Sequence, residues 1–441
     1  MVSLKKNKGL KLWNKAKKII PGGNSLLSKR PDRFAPDIWP TYYQKAKGCK
    51  ITDLEGNVYI DMSTMGVGAN ILGYSYKEVD DAVKAAINKG ISSTLNSYEE
   101  VKLAQKLLNL NPFAGGVKYA RSGGEAMSIA VRIARTYTKK DKVAFSGYHG
   151  WCDWYIASNL SNKQNLNEHL LPGLSPKGIP KSLKNTSIPF RYNDVQDFEK
   201  VMKLHKNVGV IVIEGARYEL PSKKFLKKIE IEAKKRNIVI IVDEITSGWR
   251  MGKSGVYKIL KFNPDIVVYG KGMGNGYAIS AVVGKKKIMN SSQDTFISST
   301  SWTERIGFVA ALKTIEILNR EKVPNHLIKI GNTIGNGWLD LAKKYDLNIK
   351  INEFKPLITM KFCYGSLNEY INTLFIQEML KRGYISSTSV YVSYSHTEKI
   401  VIEYLKQVDN VFKIISETIK KKSFRKILET IIRTDSFKRL T

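Results

Sequence analysis

Cysteine is scarce in this chain. The three present, Cys49, Cys152 and Cys363, are too few and too scattered for a disulfide framework or a metal site. No apolar run approaches the roughly 18 residues that cross a bilayer. The basic start, Met-Val-Ser-Leu-Lys-Lys-Asn-Lys, is followed by neither an apolar signal core nor a small-residue cleavage site. We therefore expect a cytoplasmic protein with no bound metal and no membrane anchor. Acidic residues are also few, 39 against 72 lysines and arginines, which leaves a formal net charge of +33. Such an excess attracts nucleic acid and other polyanions. Here, however, the lysines are spread along the whole sequence, and no zinc-finger or single-strand-binding motif accompanies them. Nucleic-acid binding is not expected as the main function. The densest basic tract, Lys420 to Arg439, is expected to be a solvated terminal helix, with Ile427, Ile431 and Ile432 as a possible apolar stripe.

What is present is ordinary globular composition, 43% hydrophobic and 10% aromatic over 441 residues, enough for two or three lobes. Pro21-Gly-Gly, Pro36 and Pro40 break the first 60 residues into short pieces. Cys49 to Asp61 reads as two short strands joined by a turn at Gly56-Asn57. A different rhythm follows from about residue 100. Helices at 99–110, 124–138 and 224–236 alternate with strands at 117–121, 142–146, 208–213, 238–242, 265–269 and 280–284. Val208–Ile213 and Ile238–Val242 are β-branched runs without polar alternation, the pattern of strands buried on both faces. Strands alternating with helices predict an α/β protein with a mostly parallel sheet. A C-terminal α+β lobe carries strands near 358–363 and 390–394.

Ligands of parallel α/β sheets bind outside the carboxyl ends of the strands. Those ends carry Ser122-Gly123-Gly124-Glu125, Gly147-Tyr148-His149-Gly150, Glu214-Gly215, Asp243-Glu244 and Gly270-Lys271. Lys271 closes an apolar run and stands among four glycines, where an amine could form a Schiff base. Ser122-Gly-Gly precedes a helix and suits a phosphate, although taken alone a plain helix cap by Ser122 explains it better. Asp243 ends an apolar strand and needs a cationic partner, such as a protonated pyridine nitrogen or a buried arginine. Tyr148 suits a stacked ring or plain packing; His149 is assigned no chemistry. Nucleotide-loop patterns are absent: there is no GxxxxGK[ST], and the glycine spacing fails the dinucleotide fingerprint.

The order of these segments resembles the class III pyridoxal-phosphate-dependent aminotransferases, in their glutamate-1-semialdehyde 2,1-aminomutase-like branch. The resemblance spans roughly residues 20 to 410. It rests on Pro21-Gly-Gly-Asn-Ser25, Asp53-Leu-Glu-Gly-Asn57, Ser122-Gly-Gly-Glu-Ala-Met127 with Ala130-Val-Arg-Ile-Ala-Arg135, and Tyr148-His-Gly150. It continues through Asp243-Glu-Ile-Thr-Ser-Gly-Trp-Arg250, Gly270-Lys-Gly-Met-Gly274, Ser299-Thr300 and His396-Thr-Glu398. It implies fold type I. A large domain, 61–312, would hold a mostly parallel seven-stranded sheet and bind pyridoxal 5'-phosphate. A smaller α+β domain would combine residues 1–60 with 313–441. It also implies a homodimer with shared sites. Lys271 would be the Schiff-base lysine, Asp243 the partner of the ring nitrogen and Tyr148 the stacking ring. Ser122, Gly123 and Gly124 would hold the phosphate, joined by Thr300 from the neighbouring subunit.

The sequence departs from the aminomutase pattern near the substrate. Asn24-Ser25 is followed by Leu26-Leu27-Ser28, where the aminomutases carry Pro-Val-Arg, and Tyr391 stands in place of a glutamate. Ser25, Arg217 and Arg305 are the substrate-side candidates, the two arginines as carboxylate or phosphate clamps or as structural ion pairs. The main reading is an aminotransferase between an amino donor and a carbonyl acceptor. The departures fit a subgroup resembling enzymes of unusual-sugar or surface-polysaccharide pathways. Alternatives are an intramolecular aminomutase acting on a glutamate semialdehyde-like compound, and a non-catalytic binding protein on the same scaffold.

Overall fold

A computed structural model describes residues 8–437. The chain divides into two units, one running up to Tyr76 and resuming at Asn325, the other Lys77–Pro324. The second unit is built on seven strands: β1 Gly116–Ala120, β2 Lys142–Ser146, β3 Ser187–Pro189, β4 Val208–Glu214, β5 Val239–Asp243, β6 Ile266–Tyr269 and β7 Ser280–Gly284. Their order across the sheet is β1-β7-β6-β5-β4-β2-β3. β7 runs antiparallel to both its neighbours, and all other pairs are parallel.

Every residue of β4 and β5 is buried, as their unbroken apolar runs require. One covering element is the helix Gly123–Thr138, which turns Ala126, Met127, Ile129, Ala130, Ile133 and Ala134 inward. These side chains share a core with Val210, Val212, Ile241, Val268 and Val282. Truncating a single large side chain in such a core typically costs about 2–5 kcal/mol. The edge strand β3 has no predicted counterpart. It is three residues long and ends in Pro189, which only an edge accepts without losing a ladder hydrogen bond.

In the other unit, strands Tyr43–Lys47, Lys50–Asp53 and Val58–Met62 form an antiparallel meander, and Tyr384–Ser386 adds parallel to Val58–Met62. The turn between the second and third strands is fastened by Asp53. Its Oδ1 accepts the N–H groups of Glu55 at 2.9 Å and Asn57 at 2.8 Å, with Gly56 at φ 88°. A three-stranded antiparallel sheet follows, from Ile349–Ile351, Leu357–Phe362 and Ser389–Tyr391.

Two expectations change. The Tyr74 hydroxyl donates to Asp61 at 2.6 Å, so 61–76 fall with the first unit. The helix Arg305–Arg320 is tied to Glu78 through Arg320, so 313–324 stay with the second. The basic tail is not one helix. The helix Glu398–Lys421 stops at Lys422, which is left-handed at φ 51°, and only Phe424–Ile427 is helical after it. Beyond that the backbone bonds elsewhere: Ile431 N–H donates to Asp37 Oδ2 at 2.8 Å and Thr434 N–H to the Asp32 carbonyl at 2.8 Å. Arg433 adds a bond to the Arg33 carbonyl at 2.9 Å. The β-branched run Thr430-Ile-Ile432 favours this extended strap over a helix. Arg439 lies outside the described residues. No helix among them is long and apolar enough to cross a membrane.

Candidate active site

β5 and β6 are parallel neighbours with Asp243 in register with Val268, so Asp243 and the Gly270-Lys271 turn share one sheet edge. Burial alone would make an isolated Asp243 carboxylate costly, and at 5% exposure it is held from two sides. Oδ1 accepts the Ile245 N–H at 3.0 Å, and Oδ2 meets His149 Nδ1 at 2.9 Å. His149 Nε2 faces the Ser146 carbonyl at 3.1 Å. A carbonyl only accepts, so Nε2 carries a proton. A second proton must lie between Nδ1 and Oδ2, where two lone pairs would otherwise oppose each other. His149 therefore holds the Asp243 carboxylate in place while carrying a proton beside it.

Lys271 follows β6 with φ 43°, a left-handed backbone unusual for a residue with a side chain. Its Nζ donates to Thr246 Oγ1 at 2.8 Å. Burial lowers the amine from its ordinary 10.5 to about 8, and the Arg217 cation pushes the same way against the opposing pull of Asp243. Thr246 and Ile245 come from the loop directly after Asp243. A methyl group placed on Gly123 would lie 2.9 Å from Ile245 Cδ1, and one on Gly270 would lie 3.4 Å from Ile245 Cγ2. The turn at Ser122, the loop after β5 and the Lys271 turn thus converge on Ile245, at a distance that bare backbone allows.

Ser122 caps the helix Gly123–Thr138 in a reciprocal box. Its Oγ accepts the Glu125 N–H at 3.4 Å, and Glu125 Oε2 accepts the Ser122 N–H at 2.8 Å. The helix cap therefore does not exclude a phosphate at this turn. The box uses Ser122 and Glu125, while the first-turn N–H groups of Gly123 and Gly124 have no carbonyl four residues back within the helix. Gly150, at φ 104°, packs against this turn so closely that a methyl group on it would lie 2.9 Å from Gly124 Cα. Tyr148, on the same loop, is half-buried; its N–H donates to Glu214 Oε2 at 3.2 Å, and burial raises its hydroxyl pKa.

The other sequence-derived candidates lie as follows. Arg217 is three residues beyond Glu214, with Nη1 3.8 Å from Glu214 Oε2. Arg305 forms a fork on Glu99 at 3.0 and 2.7 Å. Burial pushes Glu99 up, but the bonds from Arg305 and Ser97 outweigh it and hold the acid near 2. The fork of Arg305 is therefore engaged as a structural ion pair. Thr300 is exposed, on the short 3-10 turn Thr300–Thr303. Arg121 steadies that turn from Nε to the Ser301 carbonyl at 2.5 Å, and Trp302 Nε1 reaches Glu125 at 3.3 Å. Ser25 is exposed and belongs to the other unit, as does Tyr391. Reasoning from sequence passed over His149 and Thr246. His149 reaches Asp243 across the intervening strand β4, and the available signal was the Gly147-Tyr-His-Gly150 sequence at a strand end.

These groups fit an aldehyde-bearing aromatic phosphate: an amine, a fixed carboxylate, an aromatic side chain and a phosphate cradle on one edge. No cluster among the described residues could hold a metal ion. The family model "Aminotransferase class-III" matches residues 35–415. A curated 3-aminobutyryl-CoA aminotransferase of Cloacimonas acidaminovorans is 31% identical over 90% of this chain and 94% of its own length. A glutamate-1-semialdehyde 2,1-aminomutase of Thermodesulfovibrio yellowstonii is 31% identical over 93% of this chain and 100% of its own. Among solved structures, the PLP internal aldimine form of the Sphingopyxis sp. MTA144 FumI protein superimposes with a TM-score of 0.85. It covers 97% of this chain and 99% of that one at 22% identity, a likeness of fold.

Proposed function

Because the chain belongs to the class III aminotransferase family, we propose that it is a pyridoxal-phosphate-dependent aminotransferase with Lys271 as its reactive amine. The observation that carries this reading is the grouping of Lys271, Thr246, Asp243 and His149 on neighbouring strand ends. When bound, pyridoxal phosphate supplies an aldehyde that takes up amino groups and a ring that delocalises negative charge.

The chain's own residues do the rest. An amine held near 8 is neutral in a far larger fraction at physiological pH than one at 10.5. Lys271 Nζ would therefore hold the cofactor through its aldehyde, and the neutral amine would be able to accept and return a proton. Thr246 aims that nitrogen. Asp243, locked by His149 and the Ile245 N–H, places its negative charge to hold a proton on the ring nitrogen. Tyr148 would cover the ring, and Ser122, Gly123 and Gly124 would receive the phosphate. Ser25 remains a substrate-side candidate.

The proposal includes a homodimer working in the cytoplasm, with the Thr300 hydroxyl completing the partner's phosphate site. Its support is exposed apolar surface on the unit that carries Thr300. Leu95 and Phe296 are more than four-fifths exposed, and the segment at Ile91 is bonded to Arg305 N–H at 2.9 Å. A second copy would cover these side chains.

A single-turnover experiment tests the reaction. Cofactor-loaded protein mixed with an amino donor should release one equivalent of free keto product per site. The aminomutase of the second relative suggests the other reading, in which a semialdehyde substrate is rearranged with no separate donor and no released keto product. A protein that gains no visible absorption band when pyridoxal phosphate is added would contradict both.

A further inference from the structure

Thr246 is engaged at two points. Its Oγ1 accepts a hydrogen bond from Lys271 Nζ at 2.8 Å, and its carbonyl accepts one from Arg250 Nε at 2.7 Å. Arg250 is 1% exposed, and an arginine so deep is costly unless hydrogen bonds or opposite charge surround it. The loop that carries both Thr246 and Arg250 joins β5 to the short helix Val256–Ile259. The buried Glu244 carboxylate accepts the Ser247 hydroxyl and, at 3.0 Å, the Tyr257 N–H. Gly248 N–H donates to the Glu244 carbonyl at 2.8 Å, and Arg250 N–H to the Ser247 carbonyl at 3.1 Å. Trp249, left-handed at φ 59°, puts its ring 4.6 Å from that of Tyr269 on β6. A methyl group on Gly248 would lie 3.0 Å from Tyr269 Cδ1. Tyr269 ends the strand that delivers Lys271, so loop and strand are packed against each other.

We propose that Arg250 is a positioning residue for Lys271: by fixing the Thr246 backbone, it keeps the Thr246 hydroxyl aimed at the amine. The proposal rests on the aminotransferase reading of Lys271 and adds a group that acts on it through another residue. Lysine ends in a point charge on a flexible four-carbon stem, so a fixed acceptor decides where its nitrogen rests. A threonine hydroxyl is a fixed acceptor only if its backbone is fixed, and a loop backbone needs an outside hold. The planar Arg250 guanidinium, itself packed in the interior, supplies that hold. Charge acts in the same sense. Burial is the main cause of the lowered Lys271 amine; Arg217 and Arg250 lower it further, and Asp243 and Glu214 oppose them. Arginine stays protonated across the working range, so Arg250 adds this effect without titrating itself.

In the test, cofactor-free protein is mixed with pyridoxal phosphate, and the rate at which the visible band grows is followed from about pH 6 to 10. The wild-type rate should climb through a midpoint near 8, where the amine loses its proton. Arg250→Met should move that midpoint to higher pH and slow band growth at about pH 7 by roughly 3- to 10-fold. A merely structural arginine would leave the midpoint in place. The single-turnover transfer rate, taken in its high-pH limit, should fall roughly 10-fold in Arg250→Met and in Thr246→Val. The double variant should lie within about twofold of the slower single one, because the arginine acts through the threonine. Where Arg250→Met does not fold, Arg250→Lys, which lacks the planar fork, takes its place in the double variant. An unmoved midpoint, wild-type transfer in the arginine variant, or losses that multiply in the double variant would each overturn the proposal. A visible band that persists in Lys271→Ala would instead remove the reading of Lys271, so the two fail separately.

Discussion

The carboxyl edge of the sheet has two halves, and they are held differently. Around Asp243 and Lys271 polar contacts are short: 2.9 Å to His149, 3.0 Å to the Ile245 N–H and 2.8 Å from Lys271 to Thr246. Arg217 meets Glu214 at 3.8 Å and the His169 carbonyl at 3.4 Å, beside tyrosine faces, while Glu214 also accepts the Tyr148 N–H at 3.2 Å. Groups that perform the same proton and charge chemistry on every substrate gain from being fixed in advance. On the proposed function the tight half is the chemical centre. Arg305, held by Glu99 at 2.7 Å, is a tight pair of another kind, a structural one.

The comparison breaks first at the tight half. Lys271→Ala should lower the rate of amino-group transfer by about 10³-fold or more. Asp243→Asn should also cripple it while leaving a cofactor band, because the amine remains. His149→Gln should reduce the rate by roughly 10- to 100-fold, the size expected for losing a charge-assisted hydrogen bond to Asp243. A His149→Gln rate within twofold of wild type would make the tight geometry irrelevant to catalysis.

A stability measurement sharpens the same contrast. The folded-state pKa of Lys271, about 8, lies below its ordinary 10.5. The folded protein therefore binds fewer protons than the unfolded chain between those values. Its stability should rise with pH from about 8 to 10.5, and below 8 the full penalty is present. Lys271→Met should accordingly stabilise the cofactor-free protein at pH 7 by up to about 3 kcal/mol, measured by denaturant unfolding. No gain would mean the amine is not held at a penalty.

The smallest effects separate the two arginines. Arg305→Ala strands Glu99 in a poorly exposed site and should destabilise the fold by about 1–3 kcal/mol, measured by denaturant unfolding. Arg217→Gln should change stability by less than about 0.5 kcal/mol. An exchange of these outcomes would contradict the assignment of the tight structural pair to Arg305 and Glu99.

Much of the tight half is legible before any coordinates. An apolar β-branched run ending in an acid, and another ending in Gly-Lys-Gly, locate Asp243 and Lys271 at strand ends from pattern alone. The role of His149 is not legible in that way. It depends on a loop that folds back through Gly147 at φ 112° and Gly150 at φ 104°, carrying the imidazole past β4 to β5. The tail misled for a related reason. Basic residues spaced among isoleucines read as an amphipathic helix, whereas Ile431, Arg433 and Thr434 bond to residues 32–37, about 400 positions away in sequence. Arg217 and Arg305 look alike in sequence. Only the distances to Glu214 and Glu99 tell them apart.

The central claim is that Lys271 is the amine that takes the cofactor. Wild-type protein incubated with pyridoxal phosphate, reduced with borohydride and digested should carry the pyridoxyl phosphate mass on the peptide containing Lys271, at close to one per chain. Label on another lysine, or no label at all in folded protein, would contradict the account.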